Sequence, residues 1–392
     1  MSKWKFFTTS IWEDLYPLGA MHKFGNIRIG SCSLETRWSI FIEGHFTYKQ
    51  QNSESKVHQL QSKGELNDSW LPSEKGLHAL LDLPIGSNLY FGEIPLFVWN
   101  PDSAVDLPKT QIELDPARDL ISSPEQLFKQ VGDWILEDFQ WLRNDSTWFE
   151  CKSTNTPSHV TIIGRASDVI MQEEVRLTAC TLNTEDGPII LERGCEIQEG
   201  SHLRGPLFVG AHTVVKMGTR IYGPTAIGPD CRIGGEISNC VFLGYSNKGH
   251  DGFLGNSIIG CWCNLGADTN TSNLKSNYSR VRLWSERRNE FRNTDMQFCG
   301  LIMGDHSKCG INTMFNTGTI VGAGCNIFGG GFQPKHIPPF SWGGGDEWSV
   351  HEFDKFVETA VRVMSRRGHE MSEHEQSEWR LLHDTAVKRG NN

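Results

Sequence analysis

The sequence lacks the features that would point to a membrane, a nucleic acid or a zinc ion. No run approaches the roughly 18 apolar residues of a membrane-spanning helix, and residues 1–10 are too short and polar for a signal peptide. Positive charge is in deficit, with 37 Lys and Arg against 47 Asp and Glu, which argues against a broad nucleic-acid surface. The eleven cysteines are scattered, and Cys261-Trp-Cys263 has no second pair at zinc-binding spacing. We therefore expect a cytoplasmic protein with reduced cysteines and with neither a membrane nor a nucleic acid as partner.

An aliphatic residue returns at every sixth position over residues 191–233. The positions are Leu191, Ile197, Leu203, Val209, Val215, Ile221, Ile227 and Ile233. A period of six fits neither an amphipathic helix nor an alternating strand. It is typical of a parallel β-helix built from hexapeptides, in which each aliphatic side chain stacks on its counterpart one coil away.

The same spacing continues on both sides of this stretch. The matching positions are Ile163, Val169 and Val175 upstream, and Ile259, Leu265, Met303, Cys309, Phe315, Val321 and Ile327 downstream. Two interruptions, at 234–258 and at about 271–300, separate the segments. We expect loops to leave the stack there, and such loops usually carry function.

The regions on either side of the repeat lack its six-residue period. Residues 1–150 predict an α/β domain, with strands at the apolar runs 40–42, 89–91 and 97–99 and a helix that begins near Ser123-Pro-Glu-Gln126. The β-helix is predicted over 158–345. Residues 346–392 predict a C-terminal helical cap, because a helical stripe begins at Phe353 and Ser372-Glu-His-Glu375 forms a capping box.

The first interruption contains a concentrated polar cluster. Tyr245, Asn247, Lys248, His250 and Asp251 lie within seven residues and alternate with glycines. Glycines let the backbone turn sharply and approach a ligand. A histidine there can act as a general base and a lysine can hold an anion. On these residues alone, a solvated polar loop is the commoner interpretation.

Several motifs in this region resemble the acetyltransferase half of the GlmU family, most closely an alternative bacterial branch of it. They are Arg204-Gly-Pro206, Val215-Lys-Met-Gly218, Gly244-Tyr-Ser-Asn-Lys-Gly-His-Asp-Gly-Phe-Leu-Gly-Asn256, Asn264-Leu-Gly-Ala-Asp-Thr-Asn-Thr-Ser-Asn273, Gln297-Phe-Cys-Gly-Leu-Ile-Met-Gly-Asp-His-Ser-Lys308 and Ile311-Asn-Thr-Met-Phe-Asn-Thr-Gly-Thr319, within residues 190–345. The family combines glucosamine-1-phosphate N-acetyltransferase with N-acetylglucosamine-1-phosphate uridylyltransferase activity. The resemblance implies a left-handed coil, a homotrimer and acetyl-CoA as co-substrate.

The resemblance also implies roles for individual residues. The family's catalytic histidine falls on His250, which would take a proton from the substrate amine as the amine attacks the thioester. Candidate substrate contacts are Tyr245, Asn247, Lys248, Asn264, Asn273, Lys275 and Tyr278. His306 and Asn312 are candidates for the coenzyme A groove.

The front of the chain resembles the nucleotidyltransferase domain of the same branch. The matching segments are Asp14-Leu-Tyr-Pro-Leu18 and Asn26-Ile-Arg-Ile-Gly30. Gly19-Ala-Met-His-Lys23 stands where the branch usually has Thr-Phe-Thr-Arg-Pro, so the expected arginine is missing. Lys23 and Arg28 remain candidate contacts for the nucleotide phosphates. Uridylyl transfer would need carboxylates that hold Mg²⁺, and the sequence identifies no such pair.

The leading hypothesis is a transferase that acts on a hexosamine-1-phosphate. Acetyl transfer would take place in the β-helix, with nucleotidyl transfer in the front domain as a further step toward UDP-N-acetylglucosamine. Two alternatives stay open: a sugar-nucleotide pyrophosphorylase with a non-catalytic solenoid, and a non-catalytic trimer that binds a sugar nucleotide. A metal-dependent hydratase is disfavoured, because the histidines of the coil lie in separate places.

Overall fold

The computed structural model describes residues 4–9, 14–18, 27–48, 54–99, 107–144 and 156–390. The chain divides into two compact units. The first unit comprises Met1–Leu15 and His22–Ser123, and the second comprises Tyr16–Met21 and Pro124–Asn392. Across the described ranges, no helix is both long and apolar enough to cross a lipid bilayer.

The first unit is built around a five-stranded mixed sheet with the order β1-β4-β6-β5-β7. The pairs β1–β4 and β5–β7 are parallel, whereas β6 runs antiparallel to β4 and β5. The elements of this unit are β1 (Lys5–Phe7), β2 (Arg28–Ile29), β3 (Cys32–Ser33), α1 (Leu34–Tyr48), α2 (Glu54–Lys63), β4 (Gly64–Asn67), α3 (Glu74–Asp82), β5 (Asn88–Phe91), β6 (Ile94–Trp99), β7 (Lys109–Gln111) and α4 (Pro116–Asp119). This unit is the predicted α/β part of the fold.

Helix α1 contradicts one sequence prediction. The run Ile40-Phe41-Ile42, predicted to be a strand, lies inside this helix. Three consecutive apolar residues fit either structure, but Trp38 and Ile42 are both buried and lie one helical turn apart. The Nε1 of Trp38 donates a hydrogen bond to the carbonyl of Trp70 at 3.0 Å, and the two rings meet edge to face. The predicted strands at 89–91 and 97–99 are confirmed as parts of β5 and β6.

The core of the second unit is a parallel β-helix, as the six-residue period predicts. Residues six apart lie on successive sides of the coil, so residues 18 apart stack on each other. Leu191 pairs with Val209 and Val209 with Ile227 on one side, and Val215 pairs with Ile233 on the next. All eight anchors of the central repeat are at most 2% exposed. Each such side chain contributes about 1.5–3 kcal/mol by burial, which makes these stacks the core of the unit.

Most strands of the second unit have two to four residues, and its α-helices lie at its two ends in sequence. The strands are β8 (Thr161–Ile163), β9 (Val169–Met171), β10 (Arg176–Leu177), β11 (Thr181–Asn183), β12 (Ile189–Leu191), β13 (Glu196–Ile197), β14 (His202–Arg204), β15 (Leu207–Val209), β16 (Val214–Val215), β17 (Arg220–Tyr222), β18 (Thr225–Ile227), β19 (Arg232–Ile233), β20 (Glu236–Gly244), β21 (Asn247–Lys248), β22 (Phe253–Cys261), β23 (Asn264–Leu265), β24 (Asn270–Thr271), β25 (Arg282–Ser285), β26 (Glu290–Asn293), β27 (Leu301–Met303), β28 (Lys308–Cys309), β29 (Met314–Phe315), β30 (Thr319–Val321), β31 (Asn326–Ile327), β32 (His336–Ile337), β33 (Ser341–Gly344) and β34 (Glu347–Val350). The helices are α5 (Gln126–Asn144), α6 (Phe353–Ser365) and α7 (Glu373–Gly390).

The first interruption of the repeat is a change of phase and not a loop. Strands β20 and β22 lie parallel to each other through this region and continue the stack. Ile227 pairs with Phe242, which is 15 positions further along the chain, where the preceding coils use 18. A shorter coil moves every later anchor out of the six-residue phase. The prediction that a loop leaves the stack at 234–258 is therefore wrong.

The second interruption does leave the coil, as predicted. Ile259 pairs with Met303 across it, and the intervening chain forms the antiparallel hairpin β25–β26. Both carboxylate oxygens of Glu125, at the start of α5, accept hydrogen bonds from Arg292 Nη2 at 2.7 and 2.6 Å. The hairpin is thereby fastened to the helix that precedes the coil.

Helix α5 begins where the sequence predicts a helix and packs along the coil. Its contacts are with strands β15, β18, β20 and β22. A Cβ on Gly132 would lie 3.0 Å from the Cβ of Pro224, so glycine lets the helix approach the coil there. The apolar residues that face the coil are buried, namely Leu127, Phe128, Val131, Ile135 and Phe139.

The two C-terminal helices form a second hydrophobic cluster on the flank of the later coils. Phe356 of α6 and Trp379 of α7 are buried in it with Ala323 and Phe340 of the coil, and Trp262 packs against it. The predicted capping box of α7 is present: the Ser372 amide donates to Glu375 Oε2 at 2.8 Å, and the Glu375 amide donates to Ser372 Oγ at 3.2 Å. The helices therefore cover a side of the stack.

Candidate active site

A pocket of about 360 Å³ opens on the coil around His250. Its volume falls within the range of pockets that bind small molecules. It brings together three of the predicted site residues, Asn247, His250 and Asn264. The lining residues are Lys216, Arg232, Asn247, Gly249, His250, Asn264, Leu265, Gly266, Ala267 and Ile311.

One wall of the pocket is a column of polar side chains from successive coils. Arg232 pairs with Asn247, and Asn247 pairs with Asn264, across strands β19, β21 and β23. Each precedes an inward-facing residue, so its own side chain faces outward. The Nδ2 of Asn247 lies 3.4 Å from Asn264 Oδ1, and Arg367 Nη2 donates to Asn247 Oδ1 at 3.1 Å. Asn247 is therefore fixed both by its neighbour in the column, Asn264, and by Arg367, which lies outside the coil.

The charged groups of the pocket favour an anionic ligand. Apart from His250, its charged lining side chains are Lys216 and Arg232. Partial burial, together with the nearby Arg367 guanidinium, lowers the pKa of Arg232. Guanidinium and ammonium groups that share a pocket are suited to a phosphate, which offers several oxygens as acceptors.

The turn that carries His250 is fixed to the coils on either side of it. It runs from Gly249 to Gly252 between β21 and β22. The carbonyl of Gly252 accepts from the Glu236 amide at 3.1 Å, and the carbonyl of Asp251 accepts from the Asp268 amide at 3.0 Å. Gly252 has a φ of 112°, and a Cβ there would lie 2.2 Å from the Thr269 carbonyl oxygen. Only glycine fits this position, and the exposed imidazole of His250 is presented from a fixed backbone.

Lys248, a predicted substrate contact, lies inside the coil. It pairs with Ile233 in the aliphatic stack and is 1% exposed. Its Nζ donates to the carbonyls of Gly234, His250 and Asp251 at 3.1, 2.8 and 3.3 Å. Burial lowers the pKa of Lys248 to about 8, an effect that the Asp251 carboxylate partly opposes. The ammonium is therefore directed at the turn of His250 and not into the pocket.

Tyr245 and His306 lie at a corner of the coil and not among the pocket residues. Tyr245, Trp262 and His306 have left-handed backbone, with φ of 56°, 61° and 56°. Their rings stack in order, with centroids 4.3 Å apart for the first pair and 6.0 Å for the second. His306 is 4% exposed and meets Phe356 and Trp379 edge to face. We call these three rings the aromatic column; it lies beneath α6 and α7.

The remaining predicted substrate and coenzyme residues do not line the pocket. Asn273 Nδ2 donates to Asn256 Oδ1 at 2.8 Å, and Lys275 Nζ donates to the Arg280 carbonyl at 2.6 Å. Tyr278 is 65% exposed at the start of the excursion that contains the hairpin. Asn312 is exposed beside the pocket residue Ile311, and its amide donates to the carbonyl of Ala267 at 2.8 Å. Their predicted roles stay predictions.

In the first unit, the structure describes one of the two predicted nucleotide contacts. Arg28 lies on β2, and its Nη1 donates to the carbonyl of Ser31. Lys23 falls outside the described residues. Over the part of the chain that the structure describes, no group of three His, Cys, Asp or Glu side chains could hold a metal ion. Because Mg²⁺ is commonly held by one or two carboxylates together with substrate phosphates and water, the site of the Mg²⁺ that uridylyl transfer would need stays unassigned.

Sequence reasoning missed three cations, Lys216, Arg232 and Arg367. The signal for Arg232 was present, because it stands immediately before the anchor Ile233, as Asn264 stands before Leu265. Lys216 stands on the other side of its anchor, immediately after Val215, where alternation also turns a side chain outward. Arg367 comes from the segment after α6, which no local pattern connects to the pocket.

Comparison with known proteins supports the sequence resemblance. Residues 5–147 match the family described as sugar nucleotidyl transferase. The bifunctional protein GlmU of Methanocaldococcus jannaschii is 33% identical over 92 residues, which are 24% of this chain and 22% of that protein. The bifunctional protein GlmU of Synechococcus elongatus is 24% identical over 246 residues, which are 59% of this chain and 49% of that protein. The chain thus spans about half the length of the Synechococcus relative, and less of the Methanocaldococcus one.

The solved structures that match this chain are more distant. An Arabidopsis UDP-N-acetylglucosamine acyltransferase matches at 14% identity over 56% of this chain and 80% of that chain, with a TM-score of 0.25. That score is too low for the likeness to carry weight. The family match of residues 5–147 and the two relatives together confirm, at low identity, that this chain resembles the GlmU family.

Proposed function

We propose that the chain is a transferase for sugar-1-phosphates that acetylates an amino sugar at the His250 pocket, with acetyl-CoA as donor. The observation that carries this proposal is the composition of the pocket. An exposed histidine lies beside two cations and two asparagines, in a volume suited to a sugar phosphate. A base, an anion site and amide groups for hydroxyls are the parts that N-acetylation of a hexosamine-1-phosphate requires.

The proposed reaction uses each group in one role. His250 accepts a proton from the substrate amine as its nitrogen attacks the thioester carbonyl carbon. A bond between nitrogen and carbon forms, the bond between carbon and sulfur breaks, and the proton passes to the departing thiolate. Lys216 and Arg232 hold the phosphate, and Asn247 and Asn264 bind sugar hydroxyls.

The first unit supplies the second half of the proposal. The match of residues 5–147, which extends beyond this unit through helix α5, to a sugar nucleotidyl transferase family supports transfer of a nucleotide to the sugar-1-phosphate, with UTP and Mg²⁺ as the proposed co-substrate and metal. The proposed product is UDP-N-acetylglucosamine. A homotrimer, which the resemblance implies, belongs to the same proposal. A cytoplasmic location is proposed with it on the basis of the scattered cysteines.

A product assay tests this function directly. The purified protein is incubated with glucosamine-1-phosphate, acetyl-CoA, UTP and Mg²⁺, and the products are separated by mass. We expect N-acetylglucosamine-1-phosphate and, from it, UDP-N-acetylglucosamine. A UDP-sugar that forms only from pre-acetylated substrate would overturn the acetyl-transfer half and favour a pyrophosphorylase with a non-catalytic solenoid. Binding of a sugar nucleotide without any turnover would favour the non-catalytic trimer.

The Arg367→Met variant tests the outer support of the pocket wall. Loss of the Arg367 guanidinium removes the hydrogen bond to Asn247 Oδ1, and the Asn247 amide then spends less time in the orientation that binds substrate. We expect the KM for the amino-sugar phosphate to rise about three- to tenfold, with kcat within twofold, since a charge-assisted hydrogen bond is lost at a partly exposed site. Arg366→Met, at the exposed neighbouring position, is the matched control and should change neither constant. An unchanged KM in Arg367→Met would contradict this role.

A further inference from the structure

Lys248 occupies a position that the repeat reserves for aliphatic residues. Its strand β21 pairs with β19 and β23, so the side chain lies between Ile233 and Leu265 in the stack. Replacement of an aliphatic side chain by a buried charge costs several kcal/mol unless partners compensate it. A lysine kept at such a position therefore calls for a reason beyond packing.

The partners of Lys248 are all backbone carbonyls, and two belong to the turn of His250. An ammonium group has three N–H donors, and the three carbonyl oxygens of Gly234, His250 and Asp251 accept one each. Gly234 lies in the preceding coil, so the ammonium joins that coil to the turn. A neutral amine has only two N–H groups and cannot make the same set of contacts.

We propose that Lys248 is a positioning residue, which acts from inside the coil to hold the backbone of His250 and Asp251 so that the imidazole keeps its orientation in the pocket. This inference rests on the proposed role of His250 as the base. It assigns Lys248 a role different from contact with the sugar. A displacement of about 1 Å at a reacting group can cost roughly 100-fold in rate, which sets the size of the expected effect.

The Lys248→Met variant removes the ammonium and keeps an unbranched apolar side chain in the stack. We expect kcat for acetyl transfer to fall about 100-fold, with the KM for both substrates within twofold of the native protein. The matched control is Ile233→Met, which changes the adjacent position of the same stack and should keep kcat within twofold. Circular dichroism at the assay temperature should show both variants folded, so that unfolding does not account for the fall in kcat. A tenfold rise in KM with kcat unchanged would identify a substrate contact and overturn the proposal, and so would a native kcat.

Hydrogen exchange gives a readout that needs no activity. At pH 7, we expect the amides of Glu236 and Asp268, which donate to the Gly252 and Asp251 carbonyls of the turn, to exchange at least tenfold faster in Lys248→Met than in Ile233→Met, because the turn loses its inner anchor. Equal exchange in the two variants would overturn the positioning role even in an active enzyme. Faster exchange in a protein without acetyltransferase activity would instead locate the failure in the proposed function.

The pH profile adds a second discriminating readout. The charged groups that influence the lysine are the Asp251 and Asp268 carboxylates, which raise its pKa against the larger effect of burial. The Cys240 and Cys309 thiols also lie near it, and burial raises the pKa of each thiol, so they stay protonated between pH 8 and 10. With a pKa of about 8 in the fold and a higher one in the unfolded chain, the unfolded state binds more protons above pH 8. Between pH 8 and 10, stability should therefore gain a rising contribution from this group while kcat falls. Lys248→Met should lack both trends, and a native-like fall in its kcat would contradict the assignment.

Discussion

The His250→Ala variant is expected to lower kcat for acetyl transfer by about 10²- to 10⁴-fold, the usual contribution of a general base. The other ionisable side chains that line the pocket, Lys216 and Arg232, are cationic and poorly suited to accept a proton from the amine. The asparagines there cannot replace a base either. Steady-state kinetics with glucosamine-1-phosphate and acetyl-CoA at neutral pH measure the effect. The variant should stay folded, because the imidazole is exposed and the turn is held by backbone hydrogen bonds.

His202→Ala is the control for this experiment. His202 is exposed on β14 and is not among the residues that line the pocket. Its replacement should leave kcat and KM within twofold of the native values, with the same circular dichroism spectrum. If His250→Ala retains more than about a tenth of native kcat while His202→Ala behaves as expected, His250 is not the base.

The Arg292→Met variant is expected to lower the free energy of unfolding by about 3–5 kcal/mol. Arg292 holds both oxygens of the Glu125 carboxylate, and the glutamate side chain is only 7% exposed. Removal of the guanidinium leaves a buried carboxylate without its cation, and the cost of that desolvated charge dominates the loss. Urea unfolding followed by circular dichroism measures the difference.

Two further variants test whether the stability contribution of this buried ion pair exceeds that of an exposed one. Arg362→Met breaks the pair with Glu358 on α6, where both side chains are more than half exposed, and should cost less than about 0.5 kcal/mol. The double variant Glu125→Leu/Arg292→Met should recover most of the lost stability, because apolar side chains replace both charges. A cost below about 1 kcal/mol for Arg292→Met alone would show that the ion pair does not anchor the hairpin.

The repeat was the most predictable part of this protein. A six-residue period carries its own register, so the sequence predicted the stacked anchors from Leu191 to Ile233 and the later anchors around Met303. Local rules also predicted α5 and the capping box at Ser372, since each depends on residues close in sequence. The strand prediction for Ile40-Phe41-Ile42 was wrong for the opposite reason. A short apolar run has no period, and the helix is favoured only by the packing of Trp38, which is distant in sequence from its partner.

The site was only partly predictable because the phase of the repeat changes just before it. The shortened coil places Lys248 in the interior and Asn247 on the surface, and a six-residue count from Ile233 gives neither assignment. The structure places His250, Asn247 and Asn264, which the resemblance singled out, in one pocket, and their roles stay predictions. It gave no indication of Arg367, which lies 120 positions after Asn247 and reaches it only through the packing of the C-terminal helices.

The contacts between distant segments change how cooperatively the solenoid should unfold. A stack in which each coil contacts only its neighbours is nearly one-dimensional, and its ends can fray without disturbing the middle. Here the hairpin is joined to α5 by Glu125 and Arg292, and the end of α7 is joined to the same hairpin by Arg389 and Glu286. The segment after α6 also reaches the middle of the coil at Asn247. These contacts join segments that are not neighbours in the stack. The coils that form the pocket and the end of the chain should therefore unfold together in one cooperative step.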